Sequence, residues 1–140
     1  MPRTGNEIVV ILWRDIPAQV NAQSGRARQQ VPLSSKFQRA IDRAKRKAGI
    51  DTAHEDVAQW RRESRPCTGD PLDEATAEAQ RIEHVFGRER LGRLAYAGGW
   101  ERDVAANHIS AADLAALEEL DEDADADAAA ATAATEETNP

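Results

Sequence analysis

The side chains that could perform acid–base, nucleophilic or metal chemistry are few and far apart in this sequence. His54, His84 and His108 lack the spacing of zinc ligands, and His84 is expected to be half-buried packing on a helix. Cys67 is the single cysteine; Arg65 lies near it in sequence, but no histidine is placed to act as its base. A Walker loop, a nucleophile elbow and a dinucleotide-binding fingerprint are all missing from the sequence. We therefore predict no catalytic residue, no metal and no cofactor, and we expect that the chain is not an enzyme.

Arg14 and Asp15 are the first candidates for binding. An arginine can grip a carboxylate or a phosphate with two parallel hydrogen bonds. The two residues could equally form a structural ion pair where a strand ends. Arg14 beside Trp13, and Arg61 beside Trp60, could also stack on neighbouring rings, which is worth about 0.5–1 kcal/mol where exposed. Because no nucleophile or general base accompanies the pair, we favour a structural role over a catalytic one.

A basic stretch between residues 26 and 47 is the second candidate, with eight Lys and Arg residues against one acid, Asp42. Such a surface could hold nucleic acid through its phosphates. No exposed aromatic residues interleave with the cations, since Phe37 belongs to an apolar stripe. A solvated helix face, an acidic protein partner and the chain's own acidic tail are the other interpretations. The candidate interaction surface comprises Arg14, Asp15, Gln19, Arg26, Arg28, Arg39, Arg43, Arg46 and Lys47.

Three strands are predicted in the first third of the chain. Ile8 to Trp13 is a continuous, β-branched apolar run, typical of a central strand buried on both faces. Pro17 is expected at a bend or at the first position of the next strand. Residues 18–23 and 26–31 can pair as a hairpin across Ser24-Gly25, because Gly25 allows the positive φ that such turns need. The polar side chains and a free edge make this hairpin a possible contact surface.

The next segment contains the clearest helix and the least certain element. From Ser34 to Ala48 a single apolar stripe recurs at helical spacing, with Ser34 or Ser35 as the cap and Gly49 after the end. Residues 50–66 favour a strand, partly because V-x-x-W-R occurs both at 57–61 and at 10–14. A short helix starting near Thr52 fits this segment equally well.

Helices also follow Asp70. Asp70-Pro71 is typical of a helix start, and the apolar stripe continues to Phe86, where Gly87 ends or interrupts it. A second short helix around Leu91 is stopped by Gly98-Gly99, after which Trp100 is expected to fold back onto the body. Residues 111–120 could form one more helix, since Ser110 and Asp113 resemble a capping box.

The charge is divided unevenly along the 140 residues. Residues 1–100 contain 17 Lys and Arg against 13 Asp and Glu, whereas residues 101–140 contain one against 12. We predict a small α+β domain at 1–105, with a mainly antiparallel sheet of three to four strands packed by two to three helices, a possible short amphipathic helix at 106–120, and a disordered acidic tail at 121–140. The tail could screen the basic helix from anions. One cysteine and no long apolar segment favour a cytoplasmic protein without membrane contact.

The octapeptide W-R-D-I-P-A-Q-V, at 13–20, resembles the signature of a small bacterial family catalogued as the virulence factor domain. The basic helix K-F-Q-R-A-I-D at 36–42, W-R-R at 60–62 and G-G-W at 98–100 agree with it, so the resemblance covers residues 7–100. The resemblance assigns no catalytic residue. It implies a module that occurs alone or attached to helical-repeat proteins, with some members beside genes of corrinoid and folate one-carbon transfer.

Three functions follow as expectations. The first is a non-enzymatic protein-interaction or accessory domain, with another protein as its partner and the oligomeric state left open. The second is RNA or DNA binding through residues 26–47. The third, implied by the resemblance alone, is an accessory role in one-carbon transfer.

Overall fold

The computed structural model of the chain describes residues 5–119, which fall into two compact units, one ending at His108 and one beginning at Ile109. The first unit is an α+β domain, as predicted. Its elements are, in chain order, β1 (Asn6–Trp13), β2 (Ile16–Ser24), β3 (Ala27–Pro32), α1 (Ser35–Ala48), α2 (Ala53–Val57), β4 (Trp60–Pro66), α3 (Pro71–Val85), α4 (Arg88–Tyr96) and two 3-10 turns (Glu101–Asp103 and Ala105–Asn107).

The four strands form one antiparallel sheet in the order β3-β2-β1-β4. β1 is therefore a central strand, and Ile8, Val9, Leu12 and Trp13 are all buried, as its apolar run predicts. β3 and β4 are the two edges. β4 carries four charged side chains, Arg61, Arg62, Glu63 and Arg65, a common protection against unwanted strand pairing.

The predicted hairpin is present, with its turn one residue later than predicted. Ser24 pairs with Ala27, so Gly25 and Arg26 form the turn, and Gly25 has φ +62°. Pro17 lies at the second position of β2, one residue later than predicted. It is opposite Leu12 at a β-bulge, where the ladder of hydrogen bonds is already interrupted and a missing N–H costs little.

Two helices cover one face of the sheet, α3 against β1, β2 and β3, and α1 against β2. One apolar cluster joins Ile8 and Val20 of the sheet to Phe37 and Ile41 of α1 and Ile82 of α3. These five side chains are at most 3% exposed. Because alternate residues of a strand point to opposite faces, Val9 and its partner Asn21 lie on the other face of the sheet.

α1 begins at Ser35, one residue later than predicted, ends at Ala48 as predicted, and buries the stripe Phe37, Ala40, Ile41 and Ala44. Gly49 ends it with φ +73°, in the left-handed region that suits glycine. Ser34 occupies the N-cap position, but its side chain does not cap the helix. The Ser34 hydroxyl instead donates to Glu83 Oε1 over 2.7 Å, which ties the start of α1 to the end of α3.

Residues 50–66 contain both of the elements that the sequence allowed, a short helix and a strand. Thr52 caps the short helix α2, accepting from the Glu55 N–H over 3.2 Å, and the strand β4 follows from Trp60. Trp60 pairs directly with Trp13, but Val57 is helical, so the repeated V-x-x-W-R marks two paired strands only at its W-R end.

α3 and α4 follow the sequence prediction. The Asp70 side chain accepts from Asp73 N–H over 2.9 Å, and Gly98 and Gly99 stop α4 with φ of +82° and +101°. His84 is exposed rather than half-buried, because it lies about 200° around the helix from the buried Ile82.

In the second unit, residues 111–119 are helical, and Ser110 Oγ accepts from Asp113 N–H over 3.1 Å, as the capping box predicts. The acidic tail predicted for 121–140, and its screening of the basic helix, lie outside the described residues. Among residues 5–119, no helix combines the length and hydropathy that a bilayer crossing requires.

Candidate functional site

The backbone at Arg14 adopts an uncommon conformation. Trp13 pairs with Ile16, so Arg14 and Asp15 alone form the turn between β1 and β2. Arg14 has φ +51°, which a residue with a Cβ adopts only when its surroundings hold it there. The surroundings here include Gln59, whose carbonyl accepts from the Arg14 N–H over 3.0 Å. The turn is therefore fixed against the segment that leads into β4.

The Arg14 side chain clamps distant parts of the chain together. Its Nη1 donates to the Gly98 carbonyl over 2.8 Å, and its Nε donates to Gln59 Oε1 over 3.0 Å. The guanidinium carbon lies 5.0 Å from the Trp13 ring centroid and 5.6 Å from that of Trp100. Burial, and then the like charge of Arg102, lower the pKa of Arg14. The expected stacking on Trp13 is confirmed, and the side chain holds the fold together.

Arg14 and Asp15 do not pair with each other. Asp15 Oδ1 accepts from Arg61 Nη2 over 2.9 Å, and its Oδ2 accepts from the Glu101 N–H over 2.8 Å. Arg61 Nε also donates to the Arg14 carbonyl over 2.8 Å. Burial opposes the charge of Arg61, but the carboxylates of Glu63 and Asp15 outweigh it and raise its pKa. The two adjacent side chains therefore have separate partners, and the ion pair considered at the strand exit is formed by Asp15 and Arg61 instead.

Asp56 is a candidate site residue that the sequence interpretation did not identify. One of its oxygens accepts from Trp13 Nε1 over 2.8 Å and lies 2.9 Å from Lys45 Nζ; the other accepts from Trp60 Nε1 over 3.2 Å. Burial raises the pKa of Asp56, but the bonds from Lys45, Trp13 and Trp60 outweigh it and hold that pKa below its usual value. The recurrence of W-R was the only sequence signal of this arrangement.

Three apolar side chains next to these contacts are at least partly exposed, and we call them the anchor face: Val57, Trp60 and Trp100. Val57 is 70% exposed and Trp60 is 36% exposed, whereas Trp100 is half-buried. Cations lie over both rings: Lys45 Nζ is 5.6 Å from the Trp60 centroid, and the guanidinium carbon of Arg102 is 4.4 Å from that of Trp100. The bond to Asp56 and the pairing with Trp13 of β1 hold Trp60 in place.

The structure divides the predicted basic surface. Lys36 lies 3.4 Å from Glu83, and Lys45 is bonded to Asp56, so both of these cations are tied to acids of the fold. Four of the others recur at spacings of three and four on one flank of α1, and we call them the basic flank: Arg39, Arg43, Arg46 and Lys47. An aromatic neighbour was not expected, yet Lys47 lies 4.3 Å from the Tyr96 centroid.

Arg26, Arg28 and Gln19, which were also predicted for the interaction surface, lie away from the basic flank. Arg26 and Arg28 are exposed at the tip of the β2–β3 hairpin, and the length of β3, about 20 Å, separates that tip from the start of α1. Gln19 is half-buried within β2, opposite Ile11. Residues 26–47 therefore do not form one continuous basic surface.

Cys67 is held as a thiol. Its Sγ donates to Glu74 Oε2 over 3.0 Å, and partial burial together with this carboxylate raises the pKa of Cys67. The same bond, and one from the Gly69 N–H, lower the pKa of Glu74. A raised pKa opposes the thiolate that a nucleophile needs. His54, His84 and His108 are all exposed, and in the described residues no group of three potential metal-binding side chains occurs.

Comparison with known proteins gives one match. No curated protein and no solved structure matches the chain. A family described as "Virulence factor" matches residues 11–95. This range includes the turn at Arg14, Asp56 with the residues it contacts, and the basic flank. The Gly98-Gly99-Trp100 segment, which Arg14 contacts, lies beyond it. Since this match spans more than half of the 140 residues, the chain belongs to the virulence factor family.

Proposed function

We propose that this chain is a non-enzymatic interaction domain that binds another protein through the anchor face. The motif residues support this, because Arg14, Asp15 and Arg61 are engaged in contacts inside the fold. Their combined effect is to fix Gln59, which lies between Val57 at the end of α2 and Trp60 at the start of β4, and the segment after α4, which carries Trp100.

The observation that carries the proposal is the exposure of two apolar side chains three residues apart. Val57 is 70% exposed and Trp60 is 36% exposed, and the Trp60 indole is fixed by its bond to Asp56. Exposed aliphatic and aromatic side chains that are already ordered bind partners with little loss of conformational freedom. Trp, Tyr and Arg are also the residues most often found to dominate binding energy at protein interfaces.

The test compares variants of the full chain as bait in a pull-down, with captured proteins identified by mass spectrometry and then titrated in purified form. Val57→Asp places a charge on the anchor face and should weaken binding about 30-fold or more, the effect of losing a dominant contact. Leu72→Asp is the matched control, since Leu72 is 38% exposed on α3. Equal capture by the two variants would contradict the proposal.

Nucleic-acid binding is the second candidate, and the basic flank is the observation that favours it. Four cations lie on one side of a helix that carries a single acid, Asp42. If RNA binds there, replacing Arg43 and Arg46 with Gln should weaken a gel shift at low salt, whereas the same change at Arg26 and Arg28 should not. Equal losses from the two double variants would argue against this site. The one-carbon role stays a prediction from the family resemblance.

A further inference from the structure

Two clefts meet at the ion pair of Arg90 and Glu101, which belongs to the lining of both. The first cleft has a volume of about 250 Å³ and is also lined by residues of β1, β4 and α4. The second has a volume of about 320 Å³ and is completed by α4 and by Val104, in the segment after α4. The pair is therefore the wall that the two clefts share.

This ion pair is loose, although its arginine is well placed. Arg90 Nη2 lies 3.7 Å from Glu101 Oε1, which is beyond hydrogen-bonding distance, and the two side chains are 44% and 56% exposed. Surface pairs of this kind contribute little to stability, so a ligand can separate them at small cost. The guanidinium carbon of Arg90 lies 4.2 Å from the Phe86 ring centroid, and Phe86 packs edge-on against the buried Phe37. A guanidinium stacked on a ring keeps its N–H groups in its own plane, where they can bond a carboxylate.

The other charged side chains that line the clefts are bonded to one another more closely. Arg61 lies 2.9 Å from Asp15 and 2.6 Å from Glu63, and Arg93 lies 3.0 Å from Glu89. Among the described residues, the lining of the first cleft contains three carboxylates and two guanidinium groups. A ligand that is only an anion would therefore meet an excess of negative charge. The shared pair is the one that a ligand separates most easily.

Apolar side chains lie beside the pair. Phe86, Leu12 and Leu94 line the first cleft, and the two leucines are 6% and 1% exposed. An apolar group in the cleft would thus contact carbon atoms that the fold already holds in place. The volume of the cleft is smaller than the roughly 300–1,000 Å³ of pockets that hold drug-sized ligands, so its occupant is a small molecule.

We infer that the first cleft binds a free α-amino acid with an apolar side chain. The ligand's carboxylate bonds Arg90, its ammonium group bonds Glu101, and its side chain contacts Phe86, Leu12 and Leu94. An α-amino acid carries both charges on one carbon atom, so it can enter between the two side chains and bond each of them. A ligand with a single charge would leave one member of the pair without its partner. The inference goes beyond the proposed function, since the anchor face contributes no residue to the described lining of this cleft.

The test is an NMR titration of the isotope-labelled full-length protein with L-leucine, to about 10 mM, which covers weak binding of so small a ligand. Two matched ligands each lack one charge: N-acetyl-L-leucine has no ammonium group, and L-leucinamide has no carboxylate. L-Leucine should shift the amide signals of Leu12, Leu94 and Glu101. Each matched ligand should bind at least about tenfold more weakly, because it loses a charge-assisted hydrogen bond.

Variants of the pair supply the second arm of the test. Arg90→Gln and Glu101→Gln should each weaken L-leucine binding about tenfold or more. Arg62→Gln is the matched control, because Arg62 is exposed on β4 and should leave the affinity unchanged. Circular dichroism of each variant checks the fold. If the loss of the Phe86 contact unfolds Arg90→Gln, Glu101→Gln still decides the result.

Three results would overturn the inference. The first is that L-leucine shifts no amide signal, or only signals far from the cleft. The second is that L-leucine binds no more tightly than N-acetyl-L-leucine or L-leucinamide, since the charged pair then holds no zwitterion. The third is that Glu101→Gln and Arg62→Gln have the same effect on binding. The proposed function is tested separately, by the capture of proteins with Val57→Asp and Leu72→Asp.

Discussion

Replacing Gly99 with alanine should destabilise the domain strongly, because two separate costs fall on this residue. Gly99 has φ +101°, a conformation that residues with a Cβ rarely adopt. An added Cβ would also lie 2.8 Å from Cζ3 of Trp13 and 3.2 Å from Cδ of Arg14. Trp13 is fully buried and bonded to Asp56, so its ring has no room to move away.

The magnitude follows from the two costs. A positive φ costs a residue with a Cβ about 1–2 kcal/mol, and forcing an extra carbon into packed surroundings costs about 1–3 kcal/mol. We therefore expect Gly99→Ala to lower the free energy of unfolding by about 3 kcal/mol. Gly25→Ala is the matched control: Gly25 has φ +62° but nothing within 4 Å of an added Cβ, so only the backbone cost applies.

The assay is urea unfolding of both variants and the wild type, followed by tryptophan fluorescence and fitted with a shared m value. Gly25→Ala should lower the free energy of unfolding by about 1 kcal/mol. If Gly99→Ala is no more destabilising than Gly25→Ala, the close approach of Gly99 to Trp13 does not matter for stability and the reasoning is refuted.

Three further predictions concern single residues and use the same unfolding assay. Arg14→Ala should lower the free energy of unfolding by about 1–3 kcal/mol, because it leaves the Gly98 carbonyl without its donor; no loss would show that the clamp is dispensable. The pKa of Asp56 is depressed, so its contribution to stability is present above the carboxyl's ordinary pKa and is lost as pH falls through the lowered value. Asp56→Asn should flatten that acid-side loss of stability, and an unchanged pH profile would exclude Asp56 as its source. Asn21 is 1% exposed, and among the described residues its amide has no hydrogen-bond partner, so Asn21→Val should raise the free energy of unfolding by about 1 kcal/mol; a lower value would indicate that the amide is satisfied.

Elements with a regular apolar period were predictable from the sequence. α1 combines a stripe of Phe37, Ala40, Ile41 and Ala44 with a glycine stop, and each of these local signals agrees with the structure. By contrast, α2 has five residues and buries none of them, so no periodicity marks it. Only the Thr52 cap indicated a helix there, which is why residues 50–66 allowed two interpretations.

The contacts of the candidate site were not predictable, because they join residues far apart in the chain. Arg14 and Asp15 were identified as a pair from their adjacency, but their partners lie at Gly98, Gln59 and Arg61. Asp56 meets Trp13 across 43 positions, and nothing in the periodicity of either segment indicates that pairing. Sequence patterns report which face of an element is buried, whereas the partner across the core depends on how the elements pack.

The long separations at the Arg14 clamp also bear on the order in which the domain assembles. β1, β2 and β3 pair through two short turns, whereas Arg14 meets Gly98 only across 84 positions. Closing such a loop costs more conformational entropy than closing a hairpin, so the clamp should form late in folding and open early in local fluctuations. Hydrogen exchange can check this: the Asp15 amide, bonded to the Gly99 carbonyl over 2.9 Å, should exchange faster than the amides paired between β1 and β2. The residues that identify the family would then sit at the least protected joint of the fold, where a bound partner would slow exchange most.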